Sequence, residues 1–282
     1  MNSYAYYNGK FGKRDEISIP LTDRTIFFGD AIYEAAIGRY DRILWEDEHL
    51  ERLFTNAKKL SIHHKYSEKI LSDILHEVAI KSCIDDYLIY FSLSRSSAER
   101  IHSAKSCADA NLLITVEPLT VDKNPSRLCL TVKEDLRYRY CDVKTVNLLP
   151  NVIALTNAET EGYDEVVFHR NGIVTECAKS NISILKCGRL ITHPLDNEIL
   201  PGITRKHIID VCHKFGIPSS EEKFNLSDMY SADEIIISSS SKLCRTAKQI
   251  DGISVGGKAP ELSEKIRLEV YKEYENKVTN PL

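Results

Sequence analysis

The stretch Glu165-Val-Val-Phe-His-Arg-Asn-Gly-Ile-Val-Thr175 predicts a β-hairpin. Two runs of β-branched and aromatic residues flank Asn171-Gly172, and an Asn-Gly pair between such runs is the strongest short-range hairpin signal. We therefore expect antiparallel strands at Glu165–His169 and Ile173–Thr175, which place a β-sheet in the second half of the chain.

Further strand-like runs lie on both sides of this hairpin. Ile182–Lys186 and Leu190–Thr192 form a second pair that turns at Cys187-Gly188. Glu234–Ser238 is an apolar run that leads into further serines, as a buried strand would at its exposed end. The remaining strand-like runs are at residues 87–94, 111–116 and 128–132.

Four stretches show the spacing of an amphipathic helix. They are residues 48–60, residues 68–78 with Ile70, Leu71, Ile74, Leu75 and Val78 on one face, residues 204–215, and the C-terminal repeat Leu262, Ile266, Val270 and Tyr274. Ser67 is the expected N-cap of the second helix, and Gly216 is expected to end the third. Helices then cluster in the first third and strands in the second half, which predicts an α+β or mixed α/β fold.

A linker is predicted between the two halves of the chain. Residues 117–126 contain two prolines and little periodicity, so we expect a boundary near residue 120. The predicted organisation is a domain of residues 1–118, a linker of residues 119–126 and a domain of residues 127–282, with a cleft between the domains.

Composition excludes several classes of protein. The 282 residues include 37 Lys and Arg against 41 Asp and Glu, a net charge of −4, which argues against a general nucleic-acid binder. No apolar run approaches the roughly 20 residues of a membrane span, and the N-terminus does not resemble a signal peptide. None of the 8 cysteines forms a C-x-x-C pair, so we expect no metal site and reduced thiols in the cytoplasm.

Three places could carry chemistry, and each has an ordinary structural alternative. The serines 238–241 could hold a phosphate or form a solvated turn. Gly202, followed by Ile203 and Thr204 at a helix start, could bind an anion or be a plain helix cap. Glu176 could be a solvated strand end or the partner of a buried cation, because an unpaired buried charge is costly.

Five sequence blocks, in this order along the chain, resemble those of the class IV (fold-type IV) pyridoxal-phosphate aminotransferases. The blocks are Phe28-Gly-Asp-Ala-Ile-Tyr-Glu34, His49-Leu-Glu-Arg-Leu53, the lysine segment Asp135–Pro150, Val174-Thr-Glu-Cys-Ala-Lys-Ser-Asn181 and Leu200-Pro-Gly-Ile-Thr-Arg205. Each block alone is weak evidence for the family, but five blocks in the family's order are specific for it. The resemblance implies a two-domain fold with a small N-terminal α/β domain and a larger, β-rich pseudo-barrel domain.

The resemblance also implies pyridoxal 5′-phosphate as cofactor. By similarity, Lys144 forms the Schiff base and acts as acid and base, Glu176 pairs with the pyridine nitrogen, and Leu200 packs on the ring. The implied ligands of the cofactor phosphate are Arg52, Ile203, Thr204, Ser239 and Ser240.

Within the family the chain is most similar to the D-amino acid aminotransferases. These enzymes bind the substrate carboxylate with an R-x-H pair and a tyrosine, matched here by Arg100, His102 and Tyr33. The pair reaches the partner subunit's site in that subfamily, which implies a homodimer. The implied reaction converts D-alanine and 2-oxoglutarate to pyruvate and D-glutamate by a ping-pong mechanism.

Alternative activities remain open on the same scaffold. Lys179 stands where the best-known D-amino acid enzymes carry a serine, which puts the substrate range in question. An aminodeoxychorismate lyase shares the lysine and glutamate but lacks the R-x-H pair. A branched-chain aminotransferase would show F-E-G-[IL]-R where this chain reads Tyr33-Glu-Ala-Ala-Ile37. A non-catalytic relative that only binds cofactor or a partner protein is a third alternative.

Overall fold

The computed structural model describes residues 3–105 and 107–279, and the chain divides into two compact units. Within the described residues, the first unit comprises 3–120, 143–147 and 276–279, and the second comprises 121–142 and 148–275. The mixed α+β class is confirmed. The sequence-based bounds place residues 143–147 in the second domain, whereas their contacts group them with the first unit.

A six-stranded sheet and three helices form the first unit. The strands are β1 (Tyr4–Tyr7), β2 (Lys10–Lys13), β3 (Ala31–Arg39), β4 (Arg42–Ile43), β5 (Asp86–Ser94) and β6 (Asn111–Pro118), in the order β2-β1-β6-β5-β3-β4. The helices are α1 (Arg24–Phe28), α2 (Glu46–Lys59) and α3 (Glu68–Ser82). These three helices lie in the first third of the chain, where helices were expected, but strands β1 to β5 share that region with them.

The hydrophobic core of this unit follows from the alternation of buried and less buried residues along its strands. Alternate residues of β5 and β6 are buried and pack with the apolar faces of α2 and α3. Ser67 caps α3 as predicted, since its Oγ accepts the Ile70 N–H at 3.2 Å. Ile70 itself is 48% exposed, so its predicted place on the buried face is wrong.

Residues 143–147 run beside β3. The Tyr33 N–H donates to the Lys144 carbonyl at 2.9 Å, the Val146 N–H donates to the Ala31 carbonyl at 3.2 Å, and Ile32 forms an antiparallel bridge with Thr145. This pairing attaches the backbone of Lys144 to a central strand of the first unit.

A nine-stranded sheet dominates the second unit. Its strands are β7 (Leu128–Glu134), β8 (Glu165–Arg170), β9 (Ile173–Cys177), β10 (Asn181–Lys186), β11 (Arg189–Thr192), β12 (Ser219–Glu221), β13 (Glu234–Ser239), β14 (Leu243–Ile250) and β15 (Ile253–Ser254). Their order is β12-β11-β10-β13-β14-β7-β8-β9, and β15 pairs with β14. The predicted hairpin is confirmed as β8–β9, with φ of 52° at Asn171 and 82° at Gly172.

Four helices accompany this sheet: α4 (Leu149–Thr160), α5 (Ile203–Lys214), α6 (Leu226–Ser231) and α7 (Pro260–Thr279). Gly216, with φ of 66°, follows the end of α5, and Ile266, Val270 and Tyr274 of α7 are buried as predicted. Among the described residues, every helix is too short or too polar to cross a membrane.

Candidate active site

Lys144 lies beside an aromatic pair in the first unit. Its Nζ sits 4.3 Å from the centre of the Tyr33 ring, and that ring stacks on Tyr90 at 5.2 Å. Lys144 is half-buried and its backbone is fixed against β3. The structure therefore brings together the predicted Schiff-base lysine and one of the predicted carboxylate-binding residues.

A buried carboxylate fixes Arg52 in the same unit. Glu34 on β3 is fully buried, and its two oxygens accept bonds from Arg52 Nε at 2.7 Å and Arg52 Nη2 at 2.8 Å. His49 Nδ1 lies 2.7 Å from Glu34 Oε2. Burial alone would raise the pKa of Glu34, but the charges and hydrogen bonds of Arg52 and His49 lower it to about 2. The guanidinium of the predicted phosphate ligand is thus held in one orientation.

Arg24 holds the backbone of the loop that carries Arg100 and His102. The buried Arg24 guanidinium donates to the Ile101 carbonyl at 2.6 Å and to the His102 carbonyl at 3.2 Å, and its Nε pairs with Asp30 at 2.8 Å. The Arg100 and His102 side chains are exposed. Arg100 lies over the Phe28 ring at 5.8 Å and forms no ion pair within the described part of the chain.

Glu176 is the centre of a buried polar cluster in the second unit. Its Oε2 accepts the Leu200 N–H at 3.0 Å and the Asn181 Nδ2 at 2.9 Å, and its Oε1 accepts a short bond from Arg137. Burial raises the pKa of Glu176, although Arg137 opposes that effect. The expected buried cation partner of Glu176 is therefore Arg137.

A second carboxylate shares Arg137. Asp135 accepts from Arg137 Nε at 2.9 Å and Nη2 at 2.8 Å, and Arg170 lies 3.3 Å from Asp135 Oδ2. Burial alone would raise the pKa of Asp135, but Arg137 and Arg170 hold it below its usual value. Because Arg137 is divided between two carboxylates, Glu176 receives only part of its charge.

The start of α5 has unsatisfied donors. The Thr204 side chain is buried, and its Oγ1 has no hydrogen-bond partner among the described residues. The first N–H groups of a helix also lack partners within the helix. A Cβ at Gly202 would lie 1.9 Å from Asn181 Oδ1, so only glycine lets the chain approach Asn181 here. The geometry fits the predicted anion site at Ile203 and Thr204.

The predicted serines end β13 in the same unit. Ser239 is the last residue of the strand and Ser240 begins the turn to β14, and both are half-buried. Ser239 lines a small cavity together with Lys179 and Lys242. The contacts of both serines to a cofactor phosphate remain predictions.

The donor set fits pyridoxal phosphate. The first unit offers a primary amine for an aldehyde and an oriented guanidinium, and the second offers a buried carboxylate for a protonated ring nitrogen. The orphaned Thr204 hydroxyl and the helix start suit a phosphate. Each unit by itself therefore holds groups that suit part of this cofactor.

The chain matches the model of the family described as amino-transferase class IV over residues 31–250, and it belongs to that family, whose members depend on pyridoxal 5′-phosphate. The D-alanine aminotransferase of Listeria monocytogenes is 34% identical over 253 residues, 88% of each chain. That of Staphylococcus haemolyticus is 35% identical over 257 residues, 89% of this chain and 90% of its own.

A solved structure shows the same fold. The branched-chain amino acid aminotransferase of Escherichia coli superposes with a TM-score of 0.87, covering 98% of this chain and 96% of its own. Its sequence is only 21% identical, so this likeness concerns the fold alone.

Sequence reasoning missed the residues that support the predicted ones. Glu34 and Arg24 orient Arg52 and the Arg100 loop, and Arg137 and Asn181 orient Glu176. Glu34 and Arg137 lie inside the quoted family blocks, but no spacing rule links them to partners 18 and 39 residues away. The cost of an unpaired buried charge was the one available signal, and it pointed to a cation near Glu176 without naming it.

Proposed function

We propose that this aminotransferase acts on D-amino acids and converts D-alanine and 2-oxoglutarate to pyruvate and D-glutamate. The observation that carries the proposal is the similarity, at 34–35% identity over almost nine-tenths of the chain, to proteins named D-alanine aminotransferase. The exposed Arg100 and His102 support it, because a guanidinium next to an imidazole suits a carboxylate.

Each unit contributes a separate part of the proposed chemistry. When bound, the cofactor supplies an electron sink for the bond broken at the substrate α-carbon. Lys144 Nζ would hold the cofactor and would carry the proton to and from that carbon. Tyr33 would position the amine, since its ring lies 4.3 Å from Lys144 Nζ, and the Glu176 carboxylate would keep a proton on the ring nitrogen. Leu200 covers the ring.

The phosphate end is assigned to five groups in this proposal: Arg52, Ile203, Thr204, Ser239 and Ser240. Arg52 is pre-oriented by Glu34, and Thr204 has a free hydroxyl. Satisfying an orphaned buried donor gives the phosphate an interaction without breaking an existing one.

We place the Arg100 loop in the active site of a second copy, which makes the enzyme a homodimer. Its exposure and its lack of an ion pair among described residues agree with a role outside its own unit. The eight unpaired cysteines support a reducing compartment such as the cytoplasm.

An assay of the yellow, cofactor-loaded protein tests the substrate proposal. Purified protein is incubated with 2-oxoglutarate and, in parallel, with D-alanine, L-alanine, D-leucine and L-leucine, and the oxo-acid products are measured. We expect turnover of D-alanine to exceed that of L-leucine. Equal or faster turnover of L-leucine would instead support a branched-chain enzyme, and pyruvate released from aminodeoxychorismate without an amino acceptor would support a lyase.

A further inference from the structure

Phe28, the last residue of α1, contacts both of the side chains that are predicted to bind the substrate carboxylate. The Arg100 guanidinium lies 5.8 Å from the centre of the Phe28 ring, and the centre of the His102 ring lies 5.3 Å from it. The neighbouring Phe27 ring is 6.0 Å from the same guanidinium. Within the described part of the chain, neither Arg100 nor His102 forms a side-chain hydrogen bond or an ion pair. The Phe28 ring is therefore a shared contact of two exposed polar side chains.

The short helix α1 holds this ring in place from its N-terminal side. Its N-cap is Asp23, whose carboxylate accepts the Thr25 N–H at 2.9 Å. Arg24 and Phe28 are four residues apart, so they share one face of the helix, and the Arg24 guanidinium lies 4.6 Å from the centre of the ring. That guanidinium is itself held by Asp30 at 2.8 Å, which compensates its charge. The ring thus packs against a side chain that has a fixed position.

Gly29 fixes the C-terminal side of the same helix. It adopts φ of 58°, and its N–H donates to the Thr25 carbonyl at 3.0 Å. Its carbonyl accepts the Asn147 Nδ2 at 2.8 Å, and a Cβ at position 29 would collide with the Asn147 side chain, so this close approach requires glycine. Because these bonds lie on both sides of Phe28 in the chain, its backbone is held in one conformation and its ring can serve as a rigid support.

An aromatic ring can orient an arginine without occupying its hydrogen-bond donors. A cation within about 6 Å of a ring centre is attracted to the face of the ring, while the N–H groups of a guanidinium lie along its edge. An acidic partner would instead occupy those N–H groups, and an incoming carboxylate would have to displace it. The ring also restricts the rotamers of the exposed Arg100 side chain before a ligand arrives, which lowers the entropy cost of binding.

We propose that Phe28 is a positioning residue for recognition of the substrate carboxylate. Its ring holds the Arg100 guanidinium and the His102 imidazole near each other and leaves their N–H groups available to the carboxylate. The inference rests on the proposed function, which assigns the carboxylate to Arg100 and His102. Phe28 acts through these two side chains and takes no part in the bond changes at the substrate α-carbon.

A double-mutant cycle tests this role in the cofactor-loaded protein, with the amino acid that the wild type turns over fastest as substrate. Phe28→Leu keeps an apolar side chain but removes the aromatic face, so KM should rise about fivefold while kcat changes less than about twofold. Phe28→Tyr keeps the ring and should retain a KM within about twofold of the wild type. In an Arg100→Ala background, Phe28→Leu should raise KM less than about twofold further, because the main group that it positions is gone. Phe28→Met, which removes the ring but has a more adaptable side chain, repeats the test if Phe28→Leu is unstable.

Phe11→Leu is the matched control, since Phe11 on β2 also has a cation over its ring, Lys81 Nζ at 4.0 Å, and its loss should leave KM unchanged. The inference is overturned if Phe28→Leu leaves KM unchanged, if it lowers kcat alone, or if its effect on KM is equally large in Arg100→Ala protein. In each of these cases a raised KM in the Arg100→Ala single variant would still support the proposed function. An unchanged KM in that single variant would instead refute the carboxylate role of Arg100, and the positioning role of Phe28 with it.

Discussion

Two buried glutamates, one in each unit, contact arginines and respond in opposite ways. Glu34 faces Arg52 through two well-formed bonds and also meets His49, and its pKa falls to about 2. Glu176 shares Arg137 with Asp135, and burial raises its pKa. The two buried side chains differ in the charges around them, since Glu34 faces Arg52 and His49, whereas Glu176 faces an arginine that also pairs with the negative Asp135.

This difference in pKa fits a structural role for Glu34 and a role in cofactor binding for Glu176. Glu34 is fully compensated inside its own unit, so its role is to orient Arg52. Glu176 is undercompensated, and a further positive group such as a protonated ring nitrogen would stabilise its charge. A raised pKa at one buried carboxyl and a lowered one at the other is the pattern by which active sites divide structural from chemical roles.

The largest effect is expected at Lys144, the amine that the proposed function assigns to the cofactor and that lies beside the Tyr33 ring in the same unit as Glu34. Lys144→Ala removes the group that holds the cofactor and moves the proton, so transamination should fall by about 10⁴-fold. Borohydride reduction followed by peptide mapping should label Lys144 in the wild type and leave residue 144 unlabelled in the variant. Lys69→Ala, an exposed residue of α3, serves as the control and keeps full activity. Labelling of another lysine in the wild type would contradict the assignment.

Glu176→Gln tests the undercompensated member of the pair. Its carboxylate can no longer stabilise a positive ring nitrogen, so kcat should fall by about 10²- to 10³-fold while the cofactor is still trapped on Lys144 by borohydride. The surface variant Glu161→Gln should behave as the wild type. An unchanged kcat would show that the ring nitrogen has another partner.

Glu34→Gln tests the compensated member, and here the effect falls on stability. Because the pKa of Glu34 is lowered in the folded state, its contribution is present above about pH 4.5 and is lost as the pH falls toward 2. The variant should be about 3 kcal/mol less stable than the wild type at pH 7, and the gap should narrow in acid. Urea unfolding of cofactor-free protein at several pH values measures this difference, with Glu51→Gln as the control, since Glu51 is an exposed residue of α2, the helix that carries Arg52. A gap that widens below pH 4.5 would refute the explanation.

Arg100→Ala extends the comparison to an arginine without a carboxylate partner. Removing a charge-assisted contact to the substrate should raise KM for D-alanine about 10- to 100-fold and leave the cofactor bound. Steady-state kinetics and the cofactor absorbance separate these two effects. Lys105→Ala, in the same loop, should change neither. Loss of cofactor without a change in KM would contradict the role given to Arg100.

Thr204→Val is expected to give the smallest effect. It tests whether the buried Thr204 hydroxyl of the second unit is available to bind the cofactor phosphate. The hydroxyl has no partner among described residues, so its loss should leave the unfolding of cofactor-free protein unchanged. The dissociation constant of the cofactor should rise about tenfold, because one phosphate hydrogen bond is lost. Equilibrium dialysis measures it, and destabilised cofactor-free protein would show that the hydroxyl has a structural bond instead.

Local chemistry made parts of the fold predictable. The β8–β9 turn needs two residues with positive φ, and Asn171-Gly172 supplies them. The cap of α3 needs one hydroxyl, which Ser67 supplies. The prediction that Ile70 is buried failed because burial depends on tertiary packing. The apolar face of α3 is wider than the surface that the sheet beneath it covers, so Ile70 stays exposed.

The supporting part of the site could not be predicted in this way. Motif resemblance named Lys144, Glu176 and Thr204, but the bond between Arg137 and Glu176 joins residues 39 apart in the chain. Such a pair forms only after the sheet has brought β9 near the turn that follows β7. The division of Arg137 between two acids, and hence the direction of the pKa change at Glu176, depends on that tertiary arrangement.

The pairing of residues 143–147 with β3 limits how the chain can be divided into working fragments. Lys144 comes after the main segment of the first unit, residues 3–120, in the sequence, yet its backbone is hydrogen-bonded to β3. A fragment that ends at residue 120 would lack Lys144, the proposed Schiff-base lysine, and the remaining fragment would carry Lys144 without the strand to which its backbone is bonded. We therefore expect that neither fragment alone would catalyse the proposed transamination, and that a functional exchange between relatives would have to move residues 143–147 together with β3.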